Sequence, residues 1–537
     1  MLRMQEAEEF MRKRLQILIY LFLIISSEIF ATHVVGGTLT YVYNGGSSYT
    51  VTLKLYRDCG PGTWSFPTNV IIKVLGNNGA TFNPSKDISI PLGTVTTLSS
   101  SLDPCAIPPN PMPCVQEGIY TKTVTNLPSN AGGYHLYWQV EARNVSITNV
   151  NTTCNCIGSS FYAYIPEQSI VWKEDFTLAN GTTVDNGPTA WSRTLGSIVP
   201  TSAKVQGNQF QIEGAPDAQA TWTSQTISIS SYPFVALGVD LSETGNLGST
   251  DSIFVYYRLD GGPLTLFSTN GFINNDFNST VAGQSGLSGN TVQIVIRVHY
   301  ALVSTLTKVY KFDNVQVSCA NSNPTFNLFP PIFICAGQPF TFDHSATDID
   351  GDILEYSFYT PYDGETNAGP KDPTFPGGNA ISFTPIVWKP GYSATNPLGG
   401  APLNLNASTG LLSGTANTLG QFVVGVAVTE KRNGVILSQT LRDFQFNVVN
   451  CPIPPPPSAG PDITINQGCT AQISAGGYDP ATVVWTSVAP GVQGAYDSYL
   501  SCTTGCLNPT AAQMPGAPVY VDYQVCGTSV SCAPTNT

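Results

Sequence analysis

Three aspartates within five residues are the part of the sequence best suited to metal chemistry. Asp348, Asp350 and Asp352 offer hard oxygen ligands, which suit Ca²⁺ outside the cell, where a millimolar affinity is sufficient. The run is not an EF-hand, because Gly351 is its fourth residue and Tyr359 its twelfth, where a bidentate Glu is required. We predict a calcium site here, with a metal-free Asp-Gly turn between strands as the alternative.

Residues for acid-base or nucleophilic catalysis are scarce. The histidines are His33, His135, His299 and His344, and the HExxH, GxSxG and GxxxxGK[ST] motifs do not occur. We therefore predict a protein that is not an enzyme. Paired carboxylates for glycoside hydrolysis are defined by their separation in space and leave no motif. A secreted carbohydrate-active hydrolase, or its substrate-targeting subunit, is the alternative.

Aromatic residues are plentiful, with 24 Tyr, 25 Phe and 7 Trp. Exposed rings stack on sugar faces as they pack in cores. Trp172, Trp191 and Trp222 are the candidates for such a platform, and burial in a core is the favoured interpretation for them.

The composition limits the fold and the partners. Only 11% of the 537 residues are charged, while 50 are Gly and 40 are Pro, which excludes long charged helices and favours short strands joined by uncharged turns. Hydrophobic residues make up 42% of the chain, enough for several cores. A net charge of −13 repels phosphate backbones, so we expect no nucleic-acid partner.

The N-terminus has the pattern of a signal peptide. A basic segment from Met11 to Arg14 precedes an apolar run from Leu15 to Ile25, and the small residue Ala31 ends the segment. We predict that residues 1–31 are removed, that translation starts at Met11, and that the mature protein is extracellular and associated with the cell surface. No later apolar run approaches about 18 residues, so we expect no membrane span in the mature chain.

Thirteen cysteines in an exported chain favour disulfides over thiols or metal ligands. An odd number leaves at least one cysteine free or paired with another chain. The main candidates for disulfides are Cys105, Cys114, Cys335, Cys451, Cys502, Cys506, Cys526 and Cys532.

Strands should position these residues. Apolar and polar residues alternate from Tyr49 to Leu55, which predicts a strand with one buried face. Composition changes divide the chain into an all-β series of tandem β-sandwich domains behind the signal peptide. The predicted divisions are an N-terminal sandwich at 32–167, an inserted domain at 168–320, a third sandwich at 321–450, a proline-rich linker at 451–457 and a last domain at 458–537.

The inserted segment resembles jelly-roll sandwiches related to MAM and carbohydrate-binding modules. The pieces that carry this resemblance are Trp172 to Phe176 (WKEDF), Tyr256 to Gly262 (YYRLDGG) and Lys311 to Val315 (KFDNV). The resemblance implies a structural calcium held by Glu174, Asp175 and Asp313, where the first and last strands meet. Simple capping of a strand end is the favoured alternative.

Two later segments resemble other extracellular modules. The runs Asp348 to Ser357 (DIDGDILEYS) and Leu403 to Gly414 (LNLNASTGLLSG) are similar to cadherin-like or Ig-like domains, and Val484 to Thr486 (VWT) with its surroundings resembles a PKD-like module.

The whole mature chain resembles the large secreted surface proteins of gliding, Bacteroidetes-type bacteria. The segments that carry this resemblance are Thr32 to Gly37 (THVVGG), Leu55 to Cys59 (LYRDC) and Arg442 to Phe446 (RDFQF). The resemblance implies a non-catalytic adhesion protein in the cell envelope, active in gliding or attachment, with an extracellular glycan or surface as its partner.

Overall fold

The protein is all-β, as the sequence predicts. The computed structural model describes residues 34–528 except 60–64, 99–112, 142, 144–145, 152–156, 246, 302–307, 320, 365–369, 378–379, 452–457, 467 and 513. Within these residues the only helices are the single 3₁₀ turns Asn77–Gly79, Pro480–Thr482 and Asp497–Tyr499. The predicted signal peptide, the start at Met11, most of the proline-rich linker, Cys105 and Cys532 lie outside the described residues.

The chain divides into two compact units. The first contains the described residues of 34–98, 113–332 and 339–447, and the second contains those of 333–338 and 448–528.

Eight strands precede the insertion: β1 Val34–Gly45, β2 Ser48–Asp58, β3 Asn69–Leu75, β4 Ile88–Pro91, β5 Val95–Thr97, β6 Val115–Val124, β7 Tyr134–Val140 and β8 Ser159–Ile165. In β2 the apolar side chains are buried and the Thr and Lys side chains between them are partly exposed, as the alternation predicts. An antiparallel sheet in the order β4-β3-β7-β8 shares a core with β1 and β2.

The inserted segment is a sandwich of two antiparallel sheets. Its strands are β9 Ser169–Glu174, β10 Trp191–Leu195, β11 Ser202–Val205, β12 Phe210–Glu213, β13 Gln219–Ser224, β14 Ile227–Ser228, β15 Val235–Thr244, β16 Ser252–Leu259, β17 Thr265–Leu266, β18 Phe272–Ile273, β19 Ser279–Leu287, β20 Thr291–His299 and β21 Val309–Cys319. One sheet has the order β10-β13-β20-β16-β17, and the other has the order β11-β12-β21-β15-β19 with β9 beside β21. Phe176, Phe210, Phe312 and Trp222 are fully buried in the core between them.

Eleven strands follow the insertion: β22 Thr325–Phe326, β23 Phe333–Cys335, β24 Pro339–Asp343, β25 Ala346–Thr347, β26 Ile353–Phe358, β27 Thr374–Gly377, β28 Ala380–Ser382, β29 Asn404–Leu405, β30 Leu411–Thr415, β31 Gly420–Arg432 and β32 Val435–Val449. β31 and β32 form a long hairpin, and β26 pairs with the outer side of β31.

Strands from before and after the insertion form one composite sheet, in the order β26-β31-β32-β1-β2-β6-β5. Gly37 of β1 lies opposite Asp443 of β32. Neighbouring Gly36 has a φ of +155°, and a Cβ there would lie 2.0 Å from the carbonyl oxygen of Asp443, so only glycine permits this approach. The sequence places 32–167 and 321–450 in separate domains, whereas the structure joins them, because strand alternation does not reveal which remote edge a strand will pair with.

A buried ion pair lies at the join of the composite sheet. The guanidinium of Arg143 donates from Nη1 to Oδ1 of Asp443 at 2.9 Å and from Nη2 to Oδ2, and it also donates to the backbone carbonyls of Gly158 and Tyr362. Both charged side chains are 1% exposed or less.

The second unit has a small core. Its later strands are β33 Ser458–Ala459, β34 Thr470–Gln472, β35 Ala475–Gly476, β36 Val484–Ala489, β37 Thr510–Ala512 and β38 Asp522–Cys526, which pair as β33-β35, β34-β37 and β36-β38. Trp485 and Val483 are buried at its centre.

Candidate metal centre at the insertion junction

Both ends of the insertion are held by the β1–β2 hairpin. The Tyr43 hydroxyl lies 3.2 Å from Oε1 of Gln168, before β9, and 2.9 Å from Oγ of Ser318, near the end of β21. A Cβ at Gly45, whose φ is +111°, would lie 1.9 Å from the carbonyl oxygen of Leu237 in β15. The glycine turn after Asn44 therefore lets the hairpin lie directly against the insertion.

The segment that leaves the insertion is tied to the same hairpin and to β31. Ser322 Oγ accepts from the backbone N–H of Tyr43 at 3.1 Å, and Asn323 Oδ1 accepts from that of Tyr41 at 3.2 Å. Asn321 donates from Nδ2 to Oε1 of Glu430. We call this region, residues 321–323 with their partners, the insertion junction.

The aspartate run forms a turn beside the insertion junction. Asp348 accepts hydrogen bonds from the backbone N–H groups of Asp350, at 2.9 Å, and Asp352, at 3.0 Å. Asp350 is buried and accepts from the backbone N–H of Ser322 at 2.5 Å. The Asp-Gly turn that was the alternative prediction is thus present, and it links residues 348–352 to the insertion junction.

Asp352 forms a bidentate ion pair with Arg432 at the end of β31. Arg432 Nε lies 2.8 Å from Oδ1 and Nη2 lies 2.7 Å from Oδ2. The carboxylate is 4% exposed and the guanidinium side chain 15%, so the pair is largely shielded from water.

The structure brings together a carboxylate group that differs from the predicted one. Single carboxylate oxygens of Asp348, Asp352 and Glu430 all lie within 4.8 Å of one another. Glu430 takes the place expected for Asp350, whose carboxylate is used by Ser322. Glu430 follows the apolar run of β31, and a carboxylate at a buried strand position was the available signal for it.

Burial changes the titration of these carboxylates. Desolvation, opposed by hydrogen bonds from Ser438 and Asn321 and assisted by the charges of Asp348 and Asp352, raises the pKa of Glu430 to about 8. Burial and the nearby charge of Asp348 raise the pKa of Asp350 to about 6. Burial also raises the pKa of Asp348. The Glu430 carboxyl therefore holds its proton at neutral pH, and a cation bound there would have to displace that proton.

The donor atoms fit a hard cation. Glu430 is 0% exposed, and its Oε2 has no hydrogen-bond partner, as is also true of the buried Oδ1 of Asn321. Carboxylate and amide oxygens are the ligands that Ca²⁺ takes in proteins. The ion pair with Arg432 uses both oxygens of Asp352, so that residue would share its lone pairs between the guanidinium and a cation.

A cavity of about 340 Å³ adjoins the insertion junction. Its walls include Gln168, Tyr232, Cys319, Asn321 and Arg432. Asn321 and Arg432 face the cavity and also bind Glu430 and Asp352, whereas the carboxylates of the candidate metal group do not line it.

The second predicted calcium set is not brought together as a ligand group. Glu174 accepts from the backbone N–H of Phe176 at 2.6 Å and from the hydroxyl of Thr189 at 2.9 Å. Asp175 Oδ1 accepts from the Thr177 hydroxyl at 2.9 Å, and Asp313 Oδ1 accepts from the backbone N–H of Asn314 at 2.7 Å. The bonds of Glu174 and Asp175 cap the end of β9. Asp313 lies inside β21, at an irregularity in its pairing with β15, and not at the strand end that the alternative interpretation expects.

Six of the nine cysteines among the described residues are in disulfides. Cys114 is bonded to Cys59, Cys335 to Cys451, and Cys502 to Cys506, with Cα–Cα distances of 5.1, 5.4 and 6.5 Å. The prediction for Cys526 is wrong: it has a free, exposed thiol. Cys502 and Cys506 bond to each other across four residues, which leaves neither of them as a partner for Cys526. Cys319 and Cys469 are also free.

The three tryptophans of the insertion form no exposed platform. Trp172, Trp191 and Trp222 are buried in the core of the insertion, and Trp191 and Trp222 pack around Phe176 with ring centroids 5.9 Å from it. The favoured interpretation of these residues as core is confirmed.

No protein-family model matches the sequence, and no curated protein matches it. Among solved structures, the chain is similar to the glycoside hydrolase domain of Endo-D from Streptococcus pneumoniae R6, with 12% identity over 51% of this chain and 43% of that one and a TM-score of 0.19. It is also similar to the adhesin domain of Epf from Streptococcus pyogenes, with 10% identity over 53% of this chain and 97% of that one and a TM-score of 0.21. TM-scores near 0.2 do not establish a shared fold, so these likenesses carry no argument here.

Among the described residues, no helix is both long enough and apolar enough to cross a membrane.

Proposed function

We propose that this chain is a secreted, non-catalytic cell-surface protein that displays its inserted jelly roll as a binding module for attachment. The observation that carries the proposal is the insertion junction. Tyr43 contacts residues at both ends of the insertion, and Asp350 and Glu430 hold the segment that leaves it. A module held at both of its connections keeps one orientation on its support, which lowers the entropy lost when it binds a surface.

The location follows from the cysteines and the sequence resemblance. Disulfides such as Cys59–Cys114 fit an oxidising compartment outside the cytoplasm. The resemblance to surface proteins of gliding bacteria supports the cell envelope as the place of action and attachment or gliding as the process.

Calcium would complete the insertion junction. Asp348, Asp352 and Glu430 would hold the ion, and its two positive charges would offset carboxylate repulsion beside Arg432. Because Glu430 also binds Asn321, a cation there would stiffen the connection between β31 and the insertion.

Attachment is the direct test of the proposed function. The mature chain, labelled and added to cells, to isolated envelope material and to a glycan array, is expected to bind at least one surface saturably and without turning over any glycan. A chain that binds none of them, with its disulfides intact, contradicts the proposal.

A hydrolase is the second candidate, and one observation favours it. Carboxylates with raised pKa, here Asp350 at about 6 and Glu430 at about 8, are characteristic of acid catalysts. Both are buried, and neither lines the adjoining cavity. Release of reducing sugar from a polysaccharide panel, lost in Glu430→Gln, would establish the hydrolase in place of the attachment protein.

A further inference from the structure

The insertion exposes a group of rings and guanidinium groups on one sheet. Trp222 points into the core from β13, so alternate residues of the neighbouring strands point outward. We call the outward group on β16, β17, β18 and β20 the aromatic-basic face, which consists of Phe254, Tyr256, Arg258, Leu266, Phe272 and Arg297.

The rings form a continuous apolar strip. The Phe254 centroid lies 4.8 Å from that of Phe272 and 5.8 Å from that of Tyr256, with the Phe254 and Tyr256 planes within 11° of each other. Phe272 is 48% exposed and Leu266, opposite Tyr256, is 41% exposed. Large apolar side chains this exposed on adjacent strands mark an interaction surface.

Two arginines lie on the same face of the sheet as the rings. Arg297 is opposite Phe254, and its guanidinium carbon lies 5.6 Å from the Tyr256 ring centroid. Arg297 is exposed and forms no ion pair with any carboxylate of the described residues. Arg258 Nη1 lies 3.4 Å from Oε1 of Gln293.

The face is positive in a strongly acidic protein. The other outward residues of β10, β13, β16 and β20 are Ser, Thr, Gln, Val and His, without an Asp or Glu among them. Two carboxylates lie at its margins: Asp217 is 3.3 Å from His299, and Asp260 accepts from the backbone N–H groups of Asn290 and Thr291. With a net charge of −13 on the whole chain, an acid-free face with two arginines complements an anion.

We propose that the aromatic-basic face binds an acidic polysaccharide. The inference rests on the proposed attachment function and names its ligand class. The rings would pack on the apolar faces of the sugars, and Arg297 and Arg258 would donate paired hydrogen bonds to uronate carboxylates.

A defined galacturonate oligomer is the probe, with a neutral malto-oligosaccharide of the same length as its comparison. Binding to the full mature chain is measured by calorimetry in chelator, so that calcium does not bridge carboxylates, at low and at high salt. The test variants are Arg297→Gln and Phe272→Ala. Their matched controls are Lys204→Gln on β11 of the opposite sheet and Val199→Ala, which removes another exposed apolar side chain of the insertion.

We expect the galacturonate oligomer to bind more tightly than the neutral one and to weaken with salt. Arg297→Gln should lower its affinity at least about tenfold, because the variant loses the charge-assisted hydrogen bonds to one carboxylate. Phe272→Ala should weaken it by a similar factor, and neither control should change it. Equal binding of the two oligomers, or equal loss in the controls, would overturn the proposal.

Two further outcomes separate this proposal from others. If the chain forms dimers at high concentration and Phe272→Ala abolishes them, a second copy of the chain binds the aromatic-basic face. That result would overturn the acidic-polysaccharide proposal. If the wild type attaches to cells but does not bind galacturonate, the acidic ligand fails and the attachment function stands. If it does neither, both fail.

Discussion

The insertion and the composite sheet bury very different side chains. The insertion encloses a cluster of aromatic rings, including Phe176, Phe210 and Trp222, between its two sheets. The composite sheet encloses a complete ion pair, Arg143–Asp443, together with Glu430, all at 3% exposure or less, whereas the insertion buries carboxylates such as Glu174 and Asp251 at the ends of its strands. The insertion is one continuous segment, whereas the composite sheet joins segments separated by the whole insertion.

The difference shows two ways of specifying a sandwich. Apolar burial is non-directional, and a continuous segment with short turns has few alternative pairings to exclude. A strand that must find a remote partner gains selectivity from a buried ion pair, because any other register leaves Arg143 or Asp443 unpaired at a high cost. Arg143 follows β7 and bridges Val34 of β1, so we interpret its ion pair with Asp443 as the group that fixes where β32 joins the sheet beside β1.

Breaking the ion pair should have the largest effect. Asp443→Ala leaves a buried guanidinium with one partner fewer, which should cost about 3–5 kcal/mol of stability. Amide hydrogen exchange should rise in β1 and β32 and stay unchanged in β13 and β20. The double variant Arg143→Met, Asp443→Leu should recover part of the loss, and no recovery would show that the pair contributes more than avoided desolvation.

A substitution in the aromatic core of the insertion should have the next largest effect. Trp222→Phe opens a cavity among Phe176, Trp191 and Phe312 and should cost about 2 kcal/mol. Exchange should rise in β13 and β20 but not in β1 and β32. Thr194→Ala, on the exposed side of β10, is the control and should stay within about 0.5 kcal/mol of the wild type. An equal rise in amide exchange in the insertion and in the composite sheet would contradict the expectation that each change affects only its own region.

Calcium should stabilise the composite sheet and not the insertion, because its proposed ligands belong to the composite sheet alone. Calcium at about 100 times its Kd should stabilise the composite region by about 2.7 kcal/mol, a melting shift on the order of 5 °C. Asp348→Asn and Glu430→Gln should abolish the shift, and Asp350→Asn, outside the ligand group, should keep it.

Glu430→Gln also serves as a control for the effect of the buried carboxylate in the absence of calcium. In chelator, Glu430→Gln should be at least as stable as the wild type, because burial already opposes its carboxylate. A chain that melts at the same temperature with calcium and with chelator has only a turn at these aspartates.

The smallest effect concerns pH. His344 is buried among Phe326, Phe342 and Phe444, and burial, assisted by the charge of Arg442, holds the pKa of His344 well below its usual value. Below about pH 6.5 the unfolded chain binds a proton on His344 that the folded chain does not bind. The contribution of neutral His344 to the free energy of unfolding is therefore fully present above that pH. It falls as the pH falls, by at most about 1.4 kcal/mol per pH unit.

His344→Phe should remove this part of the pH dependence, measured by urea unfolding between neutral and mildly acidic pH. His299→Gln, which changes a partly exposed pair with Asp217 in the insertion, should leave it in place. An unchanged slope in His344→Phe would assign the acid sensitivity to other groups, such as His135, whose pKa burial lowers to about 4.

The all-β class and the strand β2 could be predicted from the residues alone. Alternation from Tyr49 to Leu55 predicted β2 and its buried face. These are properties of a local two-residue period, which a strand carries wherever it pairs.

The contacts between remote strands could not be predicted in this way. The pairing of β1 with β32, the replacement of Asp350 by Glu430 in the carboxylate group, and the meeting of Phe254 with Phe272 and Arg297 all join residues from different strands. Each depends on which strand edges meet and on which side chains then share a face. The two-residue period within one strand does not indicate which other strand it will pair with, because the hydrogen bonds between strand backbones are the same for any sequence.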